Sequence, residues 1–386
     1  MANSFAFNTA ARIIFGGGSA LKLADQCAVL GLKKPLLVTD PGLVSIGLIE
    51  PVRAALAQAG YNPVMFDQVR EDPPEQTVLD AVALAEQHEV DGVVAVGGGS
   101  SMDVAKVVAV LLGGDQPLSE LYGVEQVRGG RLPLILVPTT AGTGSEVTPV
   151  AIVTTGDTTK AGVSSASLLP DFAVLDADLT LGLPPAITAM TGIDAMVHAI
   201  EAYTSKHKKN PLSDNLARQA LALLSTNIRI AVSDGSNQTA RGNMLLGAML
   251  AGQAFANAPV AAVHALAYPL GGHYHIPHGL SNSLVLPAVL QFNANDAAGL
   301  YAELAEIVVD RSLHGESDDS KTAALIAALV QMIDDVQLPA TLRAANVAEH
   351  DLEMLARDAM LQQRLLINNP RDVSYEDALS IYRAAF

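Results

Sequence analysis

The sequence predicts an α/β N-terminal domain, doubly wound on a mostly parallel sheet, followed by an all-α C-terminal domain. Three observations carry this. In the first half, short apolar runs alternate with helical patterns, as parallel βαβ units require. Near LGLPP at Leu181 to Pro185 the composition shifts, and beyond it Ala, Leu and Met dominate at helical spacing. At 386 residues the chain also exceeds what one hydrophobic core usually organises. The expected domains are 1–182 and 183–386.

Taken in order, Ala11 to Phe15 reads as a strand, and GGGSALKLADQCAVLG follows as loop and helix. PLLVTD at Pro35 to Asp40 opens with an apolar run and reads as a buried strand. A helix over Leu48 to Ala59, a strand over Asn62 to Phe66 and a helix over Pro74 to Glu89 come next, the last opening with proline, a good first-turn residue. DGVVAV supplies a strand, GGGSSMD a turn and VAKVVAVLL a helix, and LPLILVP at Leu132 to Pro138 is a further buried strand. Val147 to Val163, rich in Thr and Val around Gly156-Asp157, suits a hairpin. In the second half, helices are expected over Ala186 to Ser205, Leu212 to Val232, Asn237 to Phe255 and onward to the C-terminus. There is no internal repeat and no low-complexity linker.

Charge and composition exclude several classes. With 23 basic against 40 acidic residues the net charge is −17, which opposes nucleic acid and anionic membrane as partners. Aromatics are few and Trp is absent, so a stacking platform for single strands is not expected. The lone cysteine, Cys27, rules out an intramolecular disulfide and a cysteine-rich metal site. MANSFAFNTAARIIF lacks the layout of a signal peptide, and no apolar run reaches the roughly 18 to 20 residues of a membrane span. The expectation is a soluble cytoplasmic protein.

Gly97, Gly98, Gly99 and Ser100 sit where a strand ends and a helix begins. Glycines there let backbone amides approach a pyrophosphate, and the helix N-terminus favours negative charge. A GGGS string alone also fits a tight turn; the βαβ context shifts the reading towards phosphate binding. Gly16 to Gly18 also follow an apolar run, but at the domain edge, where a plain turn is the better reading. Asp40 ends its strand, where a carboxylate can accept from the ribose hydroxyls of NAD and repel a 2′-phosphate; a turn Asp before Pro41 is the plainer alternative. PTTAGTGSEVT at Pro138 to Thr148 puts hydroxyls and glycines after a strand, as a loop wrapping a cofactor would, although Thr and Gly also make up an ordinary polar loop.

The second half carries the sharper signal. Asp194 and His198 are spaced i, i+4, so a helix puts a carboxylate and an imidazole on one face, one turn apart. His264, His273, His275 and His278 fall within one further fifteen-residue window, four of the chain's nine histidines. One carboxylate oxygen with two or three imidazoles suits iron, zinc or nickel, whereas magnesium and calcium prefer oxygen shells. A lone helical histidine is more often a satisfied structural residue than a ligand, but an Asp-x-x-x-His pair on an otherwise apolar helix would be costly to bury unpaired. Spacing alone does not choose among the four histidines. His207, between Lys206, Lys208 and Lys209, reads as a solvated basic turn.

GGGSSMDVAK, PTTAGTGSEVT, the Asp194 and His198 helix, and HALAYPLGGHYHIPHG, in this order, resemble the iron-containing (group III) alcohol dehydrogenases, the family that includes lactaldehyde/propanediol oxidoreductase and 1,3-propanediol dehydrogenase. The likeness covers essentially the whole chain. It implies the dehydroquinate synthase-like, iron-containing alcohol dehydrogenase fold, with a dinucleotide-binding domain, a helical domain and an active site in the cleft between them. The family's metal ligands fall on Asp194, His198, His264 and His278. Its pyrophosphate glycines fall on Gly97, Gly98 and Gly99, with Ser100 and Asp103 in the same motif, and further cofactor contacts fall on Asp40, Thr139, Thr140, Thr143 and Lys160. Some members carry a histidine, discussed as a proton relay, four residues after the third ligand; here that position is Tyr268, and His273 becomes the candidate relay.

The resemblance therefore implies an NAD(H)-linked dehydrogenase that interconverts a primary alcohol or short diol and its aldehyde, with Fe2+, Zn2+ or Ni2+ as metal and a homodimer or larger homo-oligomer as its assembly. Two alternatives stand beside it. A dehydroquinate synthase-like lyase would need several Lys and Arg around the metal to grip a phosphorylated, carboxylated substrate, and neither HALAYPLGGHYHIPHG nor DAMVHAIEAYT has one. A non-catalytic nucleotide-binding protein would have no use for four ligand-type residues.

Overall fold

The computed structural model describes residues 4–156 and 159–386. They divide into two compact units, one over Asn8–Leu181 and one over Gly182–Phe386 that also takes in the N-terminal stretch up to Phe7.

The first unit is built on a six-stranded, wholly parallel sheet. Its strands are β1 (Arg12–Phe15), β2 (Pro35–Val38), β3 (Val64–Phe66), β4 (Gly92–Gly97), β6 (Leu134–Pro138) and β9 (Phe172–Leu175), in the order β1-β9-β6-β4-β2-β3. Alternate residues of the central strands serve opposite faces, as strand geometry dictates. Leu36, Val38, Val93, Ala95, Leu134 and Leu136 enter one apolar core, and Leu37, Val94, Val96, Ile135 and Val137 enter the other. The helices α1 (Leu23–Val29), α2 (Pro41–Ser45), α3 (Glu50–Gln58), α4 (Glu75–Gln87) and α5 (Gly99–Gly113) connect them. Burial on both faces is why these strands read as continuous apolar runs.

A second sheet of three strands, β5 (Gly123–Val124), β7 (Val150–Thr155) and β8 (Thr159–Ser164), has the order β5-β8-β7. β7 and β8 pair antiparallel, with Val150 opposite Ser164 and Ala151 opposite Val163, so the expected hairpin forms. Asp157, half of its expected Gly156-Asp157 turn, lies outside the described residues.

The second unit is helical: α6 (Pro185–Thr204), α7 (Pro211–Ser233), α8 (Gln238–Asn257), α9 (Ala262–Tyr274), α10 (His278–Val308), α11 (Asp318–Asp335), α12 (Leu352–Ala359), α13 (Gln363–Leu366) and α14 (Tyr375–Ala385). α6 is buried on nearly every side from Ile193 to Thr204, because α7, α8 and α10 all pack on it. A polar residue on such a helix is desolvated and must find partners within the fold. No single described helix is long and apolar enough to cross a membrane.

Candidate functional site

The chain leaves β2, pairs β3 on one side of it, and returns to place β4 on the other. Strand order therefore reverses between β2 and β4, and open parallel sheets bind ligands beyond the carboxyl ends at such a point. Asp40 and Gly97 end those two strands. A Cβ added at Gly97 would lie 2.6 Å from the Ser101 side chain and 3.8 Å from Asp40 Oδ2, so only glycine fits this turn. Gly98 precedes α5 without a side-chain cap, which leaves the first amides of that helix for an anion, with Ser100 half-buried in its first turn. Asp40 Oδ1 accepts from the Leu43 N–H at 3.0 Å, capping α2. The plain turn role and a role toward ribose are therefore compatible, since one oxygen caps and the other faces the glycine turn.

The loop after β6 stands against the same turn. Thr139 N–H donates to the Gly97 carbonyl at 3.0 Å, the Thr143 methyl would be 2.9 Å from a Cβ at Gly99, and Thr140 would be 3.9 Å from one at Gly98. Asp103 holds this loop: its carboxylate accepts from Ser145 Oγ at 2.6 Å and from the Ile152 N–H at 2.9 Å. Lys106, one turn on and fully buried, donates to Ser145 Oγ, Thr148 Oγ1 and the Val150 carbonyl at 2.7, 3.2 and 2.7 Å. Three acceptors around one Nζ call for an ammonium with all three protons. Burial pulls the Lys106 pKa below the ordinary lysine value, while Asp103 and Glu146 oppose that pull. Lys160 lies on β8 and pairs with Asp72 at 2.6 Å. Around Gly16 to Gly18 the Gly16 N–H donates to the Leu175 carbonyl at 3.0 Å, and the Gly18 and Ala20 N–H groups donate to the two Asp176 oxygens at 3.0 and 2.9 Å, the arrangement of a structural turn.

In the helical unit, α6 presents Asp194 and His198, α9 presents His264, and α10 begins with His278. One ligand-type atom from each falls within 4.8 Å of all the others. Asp194 Oδ1 lies 3.9, 3.8 and 3.7 Å from Nε2 of His198, His264 and His278. A tetrahedron of donors about 2.0–2.2 Å from a central zinc-like ion has edges of roughly 3.3–3.6 Å, so the three carboxylate–imidazole distances stand slightly beyond such edges. The donor set, one carboxylate oxygen and three imidazole nitrogens, fits a divalent transition ion. Asp194, His198 and His264 are buried, whereas the His278 side chain is 38% exposed and forms the solvent side of the group. His198 stacks between Phe255 at 4.3 Å and His264 at 4.8 Å. Burial works to raise the Asp194 pKa, but the three imidazoles and the Asn282 amide outweigh it and hold the carboxyl below its usual range.

Two residues that the sequence reading did not single out complete the surroundings. Glu201, three residues after His198, accepts from His264 Nδ1 at 2.7 Å and from the Val263 N–H at 2.7 Å. Asn282, four residues after His278, donates from Nδ2 to Asp194 Oδ1 at 2.6 Å and sits 3.3 Å from Nε2 of both His264 and His278. Their helical spacing from the flanking histidines was the available signal, since i+3 and i+4 share a face.

The other candidates are placed differently. His273 Nε2 meets Asp358 at 2.5 Å, which joins it to α12 and to none of the four ligand-type residues. His275 is exposed and ends α9 in the left-handed region with φ 53°. Tyr268 does reach the group: its ring lies 5.8 Å from that of His278, tilted by 51°. The Arg364 guanidinium stands over the Tyr268 ring, 5.9 Å from its centre.

Known proteins carry the same framework. The family model "Iron-containing alcohol dehydrogenase" matches residues 10–177, and "Fe-containing alcohol dehydrogenase family, C-terminal" matches residues 188–386. The chain is 41% identical over 385 residues to long-chain-alcohol dehydrogenase 1 of Geobacillus thermodenitrificans, covering 97% of each chain. The structure superposes on that of 1,3-propanediol oxidoreductase with a TM-score of 0.96 at 36% identity, covering 100% of both. Sulfoacetaldehyde reductase from Bifidobacterium kashiwanohense, solved in complex with NAD+, gives a TM-score of 0.89 at 29% identity over 99% of each chain. Since the two family models between them take in both units, and the relatives agree with them over nearly the full length, the chain belongs to the iron-containing alcohol dehydrogenase family.

Proposed function

We propose that the chain interconverts a primary alcohol or short diol and its aldehyde with NAD(H), holding Fe2+, or Zn2+ or Ni2+ in its place, on Asp194, His198, His264 and His278. The observation that carries this is the convergence of those four ligand-type atoms within 4.8 Å of one another. When bound, such an ion acts as a Lewis acid toward an alcohol or carbonyl oxygen, and the dinucleotide takes or supplies the hydride.

The chain's own residues do the positioning. Gly97 to Gly99 admit the pyrophosphate to the α5 N-terminus, Asp40 accepts from the adenosine ribose, and Thr139, Thr140 and Thr143 line the adjoining loop. Asp103 and Lys106 keep that loop in place from beneath. His198 and Asp194, desolvated on α6, fix one side of the ligand set, and His278 leaves an edge open through which substrate enters and the proton departs. Tyr268 borders that edge. The relatives named for long-chain alcohols, propanediol and sulfoacetaldehyde support an alcohol or aldehyde substrate without selecting one. A homodimer or larger assembly suits the exposed Ile13 and Phe15 on edge strand β1, and a cytoplasmic setting suits the NAD(H) requirement.

The test is metal analysis of protein purified without oxygen, coupled to NADH oxidation across a panel of aldehydes. Asp194→Ala should abolish metal retention while leaving NADH binding intact. Full activity in that variant would end the metal assignment.

A further inference from the structure

We propose that Glu201 is a positioning residue of the metal centre, fixing both the tautomer of His264 and the placement of the helix that carries it; this rests on reading the four ligand-type residues as a metal site. Glu201 lies on α6 with Asp194 and His198, and its side chain is only 4% exposed. It accepts two hydrogen bonds, one per oxygen. One comes from the Val263 N–H to Oε1 at 2.7 Å. Val263 is the second residue of α9, whose N-terminus has no side-chain cap of its own. Its amide is one of the donors that a helix start leaves without an intrahelical partner, so Glu201 caps α9 from the neighbouring helix.

The other comes from His264 Nδ1 to Oε2 at 2.7 Å. A carboxylate can only accept, so Nδ1 must carry a proton. In the neutral ring the lone pair is then on Nε2, the atom that lies 3.8 Å from Asp194 Oδ1 among the ligand-type atoms. Metal-bound histidines are commonly oriented by a carboxylate in this way, which sets the tautomer and raises ligand basicity. One side chain on α6 thus ties the start of α9 to its neighbour and turns its imidazole toward the residues that α6 itself supplies.

Glu201→Gln separates this role from packing. The shape is kept, but the amide has one acceptor for two donors. Where its NH2 group faces Nδ1, it favours the tautomer with the proton on Nε2, which cannot ligate. The measurement is Co2+ and Zn2+ affinity by chelator competition, with melting of the ion-free protein alongside. Affinity should fall about 10- to 100-fold with the ion-free melting temperature nearly unchanged. A parent protein that binds neither ion would end the metal reading itself. A parent that binds tightly, with Glu201→Gln within threefold of it, would overturn the role of Glu201 alone. Should the variant fail to fold, 15N NMR of the His264 ring in the ion-free parent decides: a proton on Nδ1 with Nε2 bare supports the inference, and the reverse tautomer defeats it.

Discussion

Asn282 Nδ2 lies 2.6 Å from Asp194 Oδ1, and Asn282 Oδ1, equally buried, has no hydrogen-bond partner among the described residues. The amide nitrogen also sits 3.3 Å from Nε2 of His264 and His278. Its donors thus face lone pairs that an ion would use. An imidazole Nε2 has one lone pair and cannot serve both, whereas a carboxylate oxygen can. Asn282 therefore supports the ligand set most strongly when no ion is present. Asn282→Ala should destabilise the ion-free protein by about 1–3 kcal/mol and the ion-loaded protein by less. Melting with and without added Zn2+ measures the difference, and equal losses in both forms would show that the amide only packs.

Asp40 is tested best by a substitution that keeps its cap. Serine at an N-cap preserves the bond to the α2 amide at little loss, so Asp40→Ser removes the charge without unravelling the turn. The ratio of NADP(H) to NAD(H) use, read as kcat/KM, should rise about tenfold, on the order of 1.4 kcal/mol. An unchanged ratio would leave Asp40 as a cap alone.

What the sequence disclosed follows from the range of the interactions. The parallel sheet was legible because Leu36–Val38, Val93–Val96 and Leu134–Val137 are each buried on both faces, which writes an unbroken apolar run. Asp194 and His198 were legible because their relation is a single helical turn. The choice of His264 and His278 over His273 and His275 depends on where α9 ends and α10 begins, and only the family motif supplied it beforehand. The partners Glu201 and Lys106 were hidden because what they bind, His264 and Ser145, stands 63 and 39 residues away. The match to the dehydrogenase family favours that reading over a lyase or a non-catalytic binder.

Gly279 gives a steric test of the same group. A Cβ there would lie 2.4 Å from the Met190 carbonyl oxygen, and backbone on α6 cannot step aside as a side-chain tip would. Gly279→Ala should force α10 outward, costing about 1–3 kcal/mol, and should lower metal content because His278 is the adjacent residue. Gly272→Ala is the control: nothing lies within 4 Å of its Cβ, and in a helix interior alanine is favoured over glycine. Comparable metal loss in both variants would refute the steric argument.

Glu146, in the loop that Asp103 and Lys106 hold, offers a prediction in pH. Burial pushes its pKa up from 4.5 to about 7, the main opposing influences being its own backbone hydrogen bond and the charge of Lys106. Below pH 4.5 the group is protonated in the folded and unfolded chains alike, and its contribution to stability is fully present. As pH rises towards 7 the unfolded chain releases the proton while the folded chain retains it, so stability declines; above 7 both are ionised and the loss is complete. A difference of this size is on the order of 3 kcal/mol. Glu146→Gln removes the titration and keeps the shape, so the variant should gain stability relative to the parent between pH 5 and pH 8. Melting temperatures of both proteins across that range measure the gain. Because other groups titrate equally in both, only the difference between the two curves carries the effect, and a difference that stays constant or shrinks would mean Glu146 is already ionised in the fold at pH 5.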